Sequence, residues 1–157
     1  MADTRCQLEC EDWVRQDWMP QRFGQRFHRD RVRLTTGGFF DFDAVSADGT
    51  TVATISTSGS RTSAGKLGAG KLMKIRSDML FLLLAAAKRA VMILTERDMY
   101  DLCMKEIESG RAPRNIEFFH APLPPDLAAK LQIAKRVSSD EVSPRRLPAT
   151  ATGGIHD

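Results

Sequence analysis

Asp41 and Asp43 stand two residues apart, as do Thr54 and Ser56, and Asp48-Gly49 separates the two pairs. Asp-Gly between alternating apolar residues is a strong cue for a two-residue hairpin turn. With Asp48 and Gly49 as the turn, Asp43 faces Thr54 and Asp41 faces Ser56. Alternation sets all four on one face, directly opposed Cβ atoms being about 5 Å apart. Phe40, Phe42, Ala53 and Ile55 then belong to the other face, as core. Two carboxylates and two hydroxyls in one cluster call for a chemical role if helices cover them. On a sheet wet on one side they are an ordinary solvated surface.

Basic residues concentrate in two stretches. From Gly49 to Ser77 there is no acidic residue, while Arg61, Lys66, Lys71, Lys74 and Arg76 are all basic. Arg22, Arg26, Arg29, Arg31 and Arg33 form the second, broken by Asp30. Local positive fields attract phosphates, although either stretch alone is equally well a solvated face. Net charge over the chain is only +3.

Other chemistry is set aside. Gly65 to Lys71 has the spacing of a phosphate loop, but Leu72 stands where a Ser or Thr should bind Mg²⁺, and the preceding strand ends too early. Backbone amides of a mobile basic loop remain able to contact phosphate. Cys6 and Cys10 lie one helical turn apart with no second pair to complete a zinc site, so they read as small apolar side chains. The three cysteines suggest no disulfide framework. His28, His120 and His156 lack metal spacing, and His120 at a strand end reads as structural.

The elements that must position these residues follow from periodicity. Thr4 to Met19 reads as an amphipathic helix, with Trp13 and Trp18 on its apolar face and Pro20 as its end. Arg31 to Leu34 is a short strand, and Phe39–Val45 with Thr51–Ser58 makes the hairpin. Gly59 to Gly70 is a loop; Lys71 to Lys88 is a helix so apolar in its second half that it must be largely buried. Ala90 to Leu94 is an interior strand. Thr95 with Asp98 starts a capping-box helix that Gly110 stops, its apolar stripe interrupted by Glu106. Asn115 to His120 is a further strand, and Pro124-Pro125-Asp126 opens a last helix to about Val137. The expectation is a single α/β domain over residues 1–137 with a flexible polar tail over 138–157. A mixed central sheet, with an antiparallel hairpin and a parallel crossover, is flanked by helices. The longest apolar run, Met79 to Ala87, is far short of the ~20 residues of a bilayer span, and no leader is visible near Asp3, Arg5 and Glu9, so a cytoplasmic protein without membrane contact is expected.

Phe39-Phe40-Asp41-Phe42-Asp43-Ala44-Val45, Asp48-Gly49 and Val52-Ala53-Thr54-Ile55-Ser56-Thr57-Ser58, followed by a helix and an apolar strand, resemble the PD-(D/E)xK, restriction-endonuclease-like nuclease superfamily. The resemblance spans Thr35 to Ala121, more than half the chain, and rests on element order and a short pattern. It implies a restriction-endonuclease-like fold and makes Asp43 the counterpart of the family's metal-binding aspartate. Thr54 then occupies the position of the second acid and Ser56 that of the lysine. Mg²⁺ prefers carboxylate oxygens, and a serine supplies no positive charge for the attacking water or the developing charge.

The expected function is therefore a divergent nuclease-like domain, non-cleaving or weakly active. It binds DNA, RNA or a protein partner through the basic residues Arg61, Lys66, Lys71, Lys74 and Arg76. One alternative is a Mg²⁺-dependent phosphodiesterase in which Asp41 joins Asp43 on the metal, Glu9 or Glu11 adds a carboxylate, and Lys66, Lys71 or Lys74 reaches the place left by Ser56. The other is a structural or interaction domain with no nucleic-acid role. Oligomeric state is not legible.

Overall fold

A computed structural model describes residues 4–142, with side chains described through residue 138. Helix α1 (Arg5–Trp13) runs into a π-helical turn (Val14–Trp18) and then α2 (Met19–Phe23). Strands β1 (Phe27–Arg33), β2 (Phe39–Ser46) and β3 (Thr51–Ser56) follow, then α3 (Ala69–Leu84), β4 (Arg89–Leu94), α4 (Arg97–Glu108), β5 (Ile116–His120) and α5 (Pro125–Val142). The five strands form one sheet in sequence order. β1–β2 and β2–β3 are antiparallel, whereas β3–β4 and β4–β5 are parallel, with α3 and α4 as the crossovers. The expected mixed α/β sheet flanked by helices is thus the observed architecture.

Each face of the sheet has its own core. Phe42, Val45, Val52, Met92 and Leu94 pack under Ile75, Met79 and Leu82 of α3 and Met99 and Cys103 of α4. Ala44, Ala53, Ile55, Val91 and Ile93 pack under Val14 and Met19, with Trp13, Trp18 and Phe23 around them. The tryptophans therefore serve as packing, as their spacing implies. Cys10 is fully buried, and desolvation, with Cys6 next, pushes its thiol up to about 12.

Several boundaries depart from the sequence reading. The first helix does not stop at Pro20, because Pro20 lies in the first turn of α2, just after the π turn, where a missing N–H breaks no ladder. Gly24 ends it at φ +72°. α3 is half rather than largely buried, since Leu80 and Leu83 face out while Met79 and Leu82 face the sheet. The Thr95–Asp98 capping box does not form. Thr95 donates its hydroxyl to the Ser56 carbonyl, and Asp98 accepts from Ser60 instead. α5 continues past Val137 to Val142, the next proline being Pro144, so residues 138–142 are helical rather than tail. The expected tail from 143 on, with Gly153-Gly154 and His156, lies outside the described residues. Among the described residues no helix is long and apolar enough to cross a membrane.

Candidate functional site

The hairpin turns where the sequence placed it. Asp48 accepts from the Ser46 hydroxyl at 2.7 Å, the Thr50 amide at 3.0 Å and the Thr50 hydroxyl at 2.7 Å. These donors, the Ser46 hydroxyl foremost, pull its carboxyl down to about 2. Gly49 adopts the left-handed φ of +74° that the reversal requires. Ala44 pairs with Ala53 and Val45 with Val52, the register expected from the turn.

That register does not carry on to the aspartates. On β1, His28 faces Val45 and Asp30 faces Phe42, so the single residue Arg29 opposes both Asp43 and Ala44. This β-bulge inserts an extra residue into β2 and reverses its alternation on one side of the bulge. Phe40 and Phe42 consequently join the α3 core while Ala53 and Ile55 join the opposite one. Thr54 and Ser56, paired with Met92 and Leu94, lie on the α3 side of β3. Asp41 lies on the other side, exposed, opposite Arg31 on β1, whose Nε donates to it at 2.8 Å. The expected face of two aspartates and two hydroxyls is therefore not formed, and the bulge is the reason.

Asp43 keeps company with β3 in a different way. Its Oδ2 accepts the Ile55 backbone N–H at 2.8 Å, a side chain standing in for a ladder bond beyond the last paired residues. Two further carboxylates feel its charge from opposite sides of the sheet. Glu11 of α1 is pushed up by burial and then by Asp43, against the opposing hydrogen bond of Arg29 at 2.8 Å. Asp78 of α3 is also pushed up, chiefly by burial and more weakly by Asp43, while Lys74 pulls the other way from 2.6 Å. Glu11, Arg29, Asp30, Arg31, Asp41 and Asp43 line an open cleft of ≈ 500 Å³. Glu9, the other helix acid considered, lies 3.6 Å from Lys130 instead.

The candidate cations are mostly engaged. Lys71 donates to the Arg61 carbonyl at 2.8 Å, Arg61 to the Gly65 carbonyl at 2.9 Å, and Arg76 to Glu106 at 3.0 Å. Lys74 is the lysine that reaches the surroundings of Asp43, and its ammonium is held by Asp78. No hydrogen bond or ion pair engages the Lys66 ammonium among the described residues, although its carbonyl accepts the Thr62 amide at 2.7 Å. His120 sits against the Thr95 carbonyl at 3.3 Å, a structural contact.

Mg²⁺ is the ion that the resemblance implies, and the residues in place do not fit it. Asp41 is paired with Arg31; Asp43, Glu11 and Asp78 each have a donor already, in Ile55, Arg29 and Lys74. Among the described residues no three acids, histidines or cysteines converge as ligands. Thr54, which the resemblance sets at the position of the second acid, is 2% exposed, and its hydroxyl has no hydrogen-bond partner among the described residues.

No family model, curated protein or solved structure matches the chain. Function must be argued from the site itself. Asp78 is the participant that sequence reasoning missed. Its spacing four residues after Lys74 on a helix could have revealed the ion pair.

Proposed function

We propose that this chain is a divergent restriction-endonuclease-like domain that binds nucleic acid without metal-dependent cleavage. The observation that carries the reading is the use made of Asp43. It stands at the end of the β2–β3 pairing, the counterpart of the family's metal-binding aspartate, yet bridges the two strands through the Ile55 amide. Around it, a buried threonine and a serine occupy the positions of acid and lysine, and Lys74 is bound to Asp78. Element order supports the kinship: a helix, three antiparallel strands, a crossover helix, then two parallel strands.

The test is incubation of plasmid DNA and of RNA with the protein and Mg²⁺ or Mn²⁺, beside a binding titration at rising salt. Cleavage no faster than the protein-free blank, with binding that weakens steeply as salt rises, is expected. Cleavage abolished by Asp43→Ala overturns the non-cleaving reading and restores the Mg²⁺-dependent alternative. Absence of binding at low salt leaves an interaction domain with no nucleic-acid role.

A further inference from the structure

On the far side of Arg29 from Asp43 lies a second cleft, of ≈ 430 Å³, between the N-terminal helix and β1. Arg29 lines both clefts, so one side chain borders the two. Their charge is opposite. Beside Asp43, four carboxylates face Arg29 and Arg31. The second cleft sets Arg15, Arg29 and His28 against Asp12 alone, with Gln16 as a further donor and Leu8 and Phe27 as apolar wall.

Arg15 owes its position to the π turn. Its side chain is only 5% exposed, held by a half-exposed Asp12. One oxygen of Asp12 accepts from both terminal nitrogens, at 3.0 and 3.5 Å. A guanidinium has five N–H donors, so donors remain for a second acceptor in the cleft that Arg15 lines. β1 is the edge strand, and it carries Arg29, Arg31 and Arg33 at alternate positions, about 7 Å apart at two strand rises. Among the described residues the guanidinium groups of Arg26 and Arg33 enter no hydrogen bond or ion pair, whereas Arg29 and Arg31 are held by Glu11 and Asp41. A guanidinium floor, an apolar wall and a row of arginines along one exposed edge are what a single nucleic-acid strand uses, phosphates on the cations and a base against the apolar side.

We infer that the strand-binding surface is this α1–β1 cleft with the β1 arginine row, rather than the loop between β3 and α3, and that it takes single-stranded nucleic acid. The inference rests on the nucleic-acid reading above and adds where, and in what form, the chain is bound. The acidic cleft beside Asp43 then flanks the bound strand without receiving its phosphates.

Fluorescence anisotropy with a labelled single-stranded oligonucleotide and the full chain tests it. Arg29→Ala with Arg33→Ala is expected to weaken binding about tenfold and to flatten the salt dependence, by roughly 0.7 in the log–log slope for each phosphate no longer neutralised. Lys66→Glu, in the loop, is expected to change affinity less than about twofold, on the order of an incidental rim charge. Arg29→Ala also deprives Glu11 of its partner, so Gln16→Ala with Arg33→Ala, neither in an ion pair among the described residues, serves as the variant that keeps the fold. It is expected to weaken binding at an unchanged Tm. If the loop variant loses as much as the β1 variants, or if both β1 variants bind as the unaltered chain does, the placement falls while the nucleic-acid reading stands. Tighter binding of the matching duplex overturns the single-strand assignment. No binding of either form at low salt removes both readings.

Discussion

Along the loop and the first turns of α3, Arg61, Lys71, Lys74 and Arg76 each end on an acceptor of the chain's own. Two are backbone carbonyls within ten residues, one is Asp78 a helical turn away, and one is Glu106 on α4. Along β1, Arg29 and Arg31 end on carboxylates at the rim of an open cleft, while Arg33, and Arg26 just before the strand, end on none among the described residues. In sequence the loop is the more persuasive basic region, because no acid interrupts it between Gly49 and Ser77. In space Asp78 and Glu106 stand opposite Lys74 and Arg76, while Arg61 and Lys71 are tied to carbonyls of the loop itself. A cation balancing a half-buried acid contributes to folding and offers little field to a partner, whereas one bound to a carbonyl keeps its charge but commits a donor to the fold. Availability therefore depends on what the fold brings opposite each charge.

If the loop is a structural region, its anchor should cost the most to remove. Asp98 accepts the Ser60 amide at 3.0 Å, the Ser60 hydroxyl at 2.9 Å and the Met99 amide at 2.8 Å. A Cβ on Gly59 would come within 3.3 Å of its Oδ2, so the loop passes close over it. Asp98→Ala should destabilise by about 2–3 kcal/mol, the cost of leaving several donors short of an acceptor. Chemical denaturation reads this, and a loss under about 0.5 kcal/mol, the scatter of ordinary surface changes, would break the comparison. Burial raises the Asp98 carboxyl, but the Ser60 and Met99 hydrogen bonds and the charge of Lys135 outweigh it and leave it lowered. The sign follows: its stabilisation is present above the ordinary carboxylate value of 3.8 and is lost as pH falls through the lowered folded value. Asp98→Ala should lack that part of the acid limb.

Next in size is the α3–α4 pair. Arg76→Met leaves the Glu106 carboxylate, 11% exposed, without its 3.0 Å partner. Arg76 is half exposed, so water compensates in part, and a loss of about 1–2 kcal/mol is expected rather than that of a fully buried pair. Glu106→Gln in the same chain should recover part of it, because the buried group is then neutral. Failure of that rescue would mean the pair is not what holds Glu106 in place.

Much of the fold was readable, and two of the failures share a cause. Asp48-Gly49 announced the turn, and the pairing of Ala44 with Ala53 follows from it. The continuous apolar run Ala90 to Leu94 marked β4, and Gly110 stopped α4 at φ +74°. The misses that moved the candidate site and the first helix were insertions of a single residue into a regular repeat, beside the unformed capping box, the half-buried α3 and the longer α5. The bulge at Asp43–Ala44 and the π turn at Val14–Trp18 are of this kind. Nothing in the residue types distinguishes Asp43-Ala44 as a bulge, since it is decided by how β1 and β3 compete for β2. The same insertion separated Asp41 from Thr54 and Ser56, while Asp41 and Asp43 still line one cleft, so the candidate cluster failed where the periodicity failed. Glu106 had been visible as a break in an apolar stripe, but its partner lies thirty residues earlier, on a helix that packs on the same face.

A smaller effect is expected within the loop. Lys71→Met removes the 2.8 Å bond to the Arg61 carbonyl, and Arg61→Ala removes the bond to Gly65. Both are exposed, so each should cost about 0.5–1 kcal/mol globally. The local consequence is larger than the global one: residues 61–67, held by these bonds and the Arg61–Leu67 bridge, should become readily cleaved in limited proteolysis. Unchanged proteolysis in the double variant would show that the loop's cations are not its fasteners.

The smallest stability effect belongs to β1, and it is the sharpest discriminator. Arg33→Ala removes a side chain that has no ion pair among the described residues, from the exposed end of an edge strand. Stability should stay within about 0.5 kcal/mol of the unaltered chain, as for surface substitutions that touch no special feature. Removal of a charge from an edge strand can also encourage strand-to-strand association. The melting curve is therefore best taken at two protein concentrations, and it should be the same at both. A concentration-dependent melt would assign Arg33 the protective role that edge charges often play, whereas an unchanged melt with weakened oligonucleotide binding leaves recognition as its use. On the loop side removal of Arg61, Lys71, Lys74 or Arg76 should register first as lost stability; at Arg33 on β1 the order should be reversed, and that reversal is the physical content of the comparison.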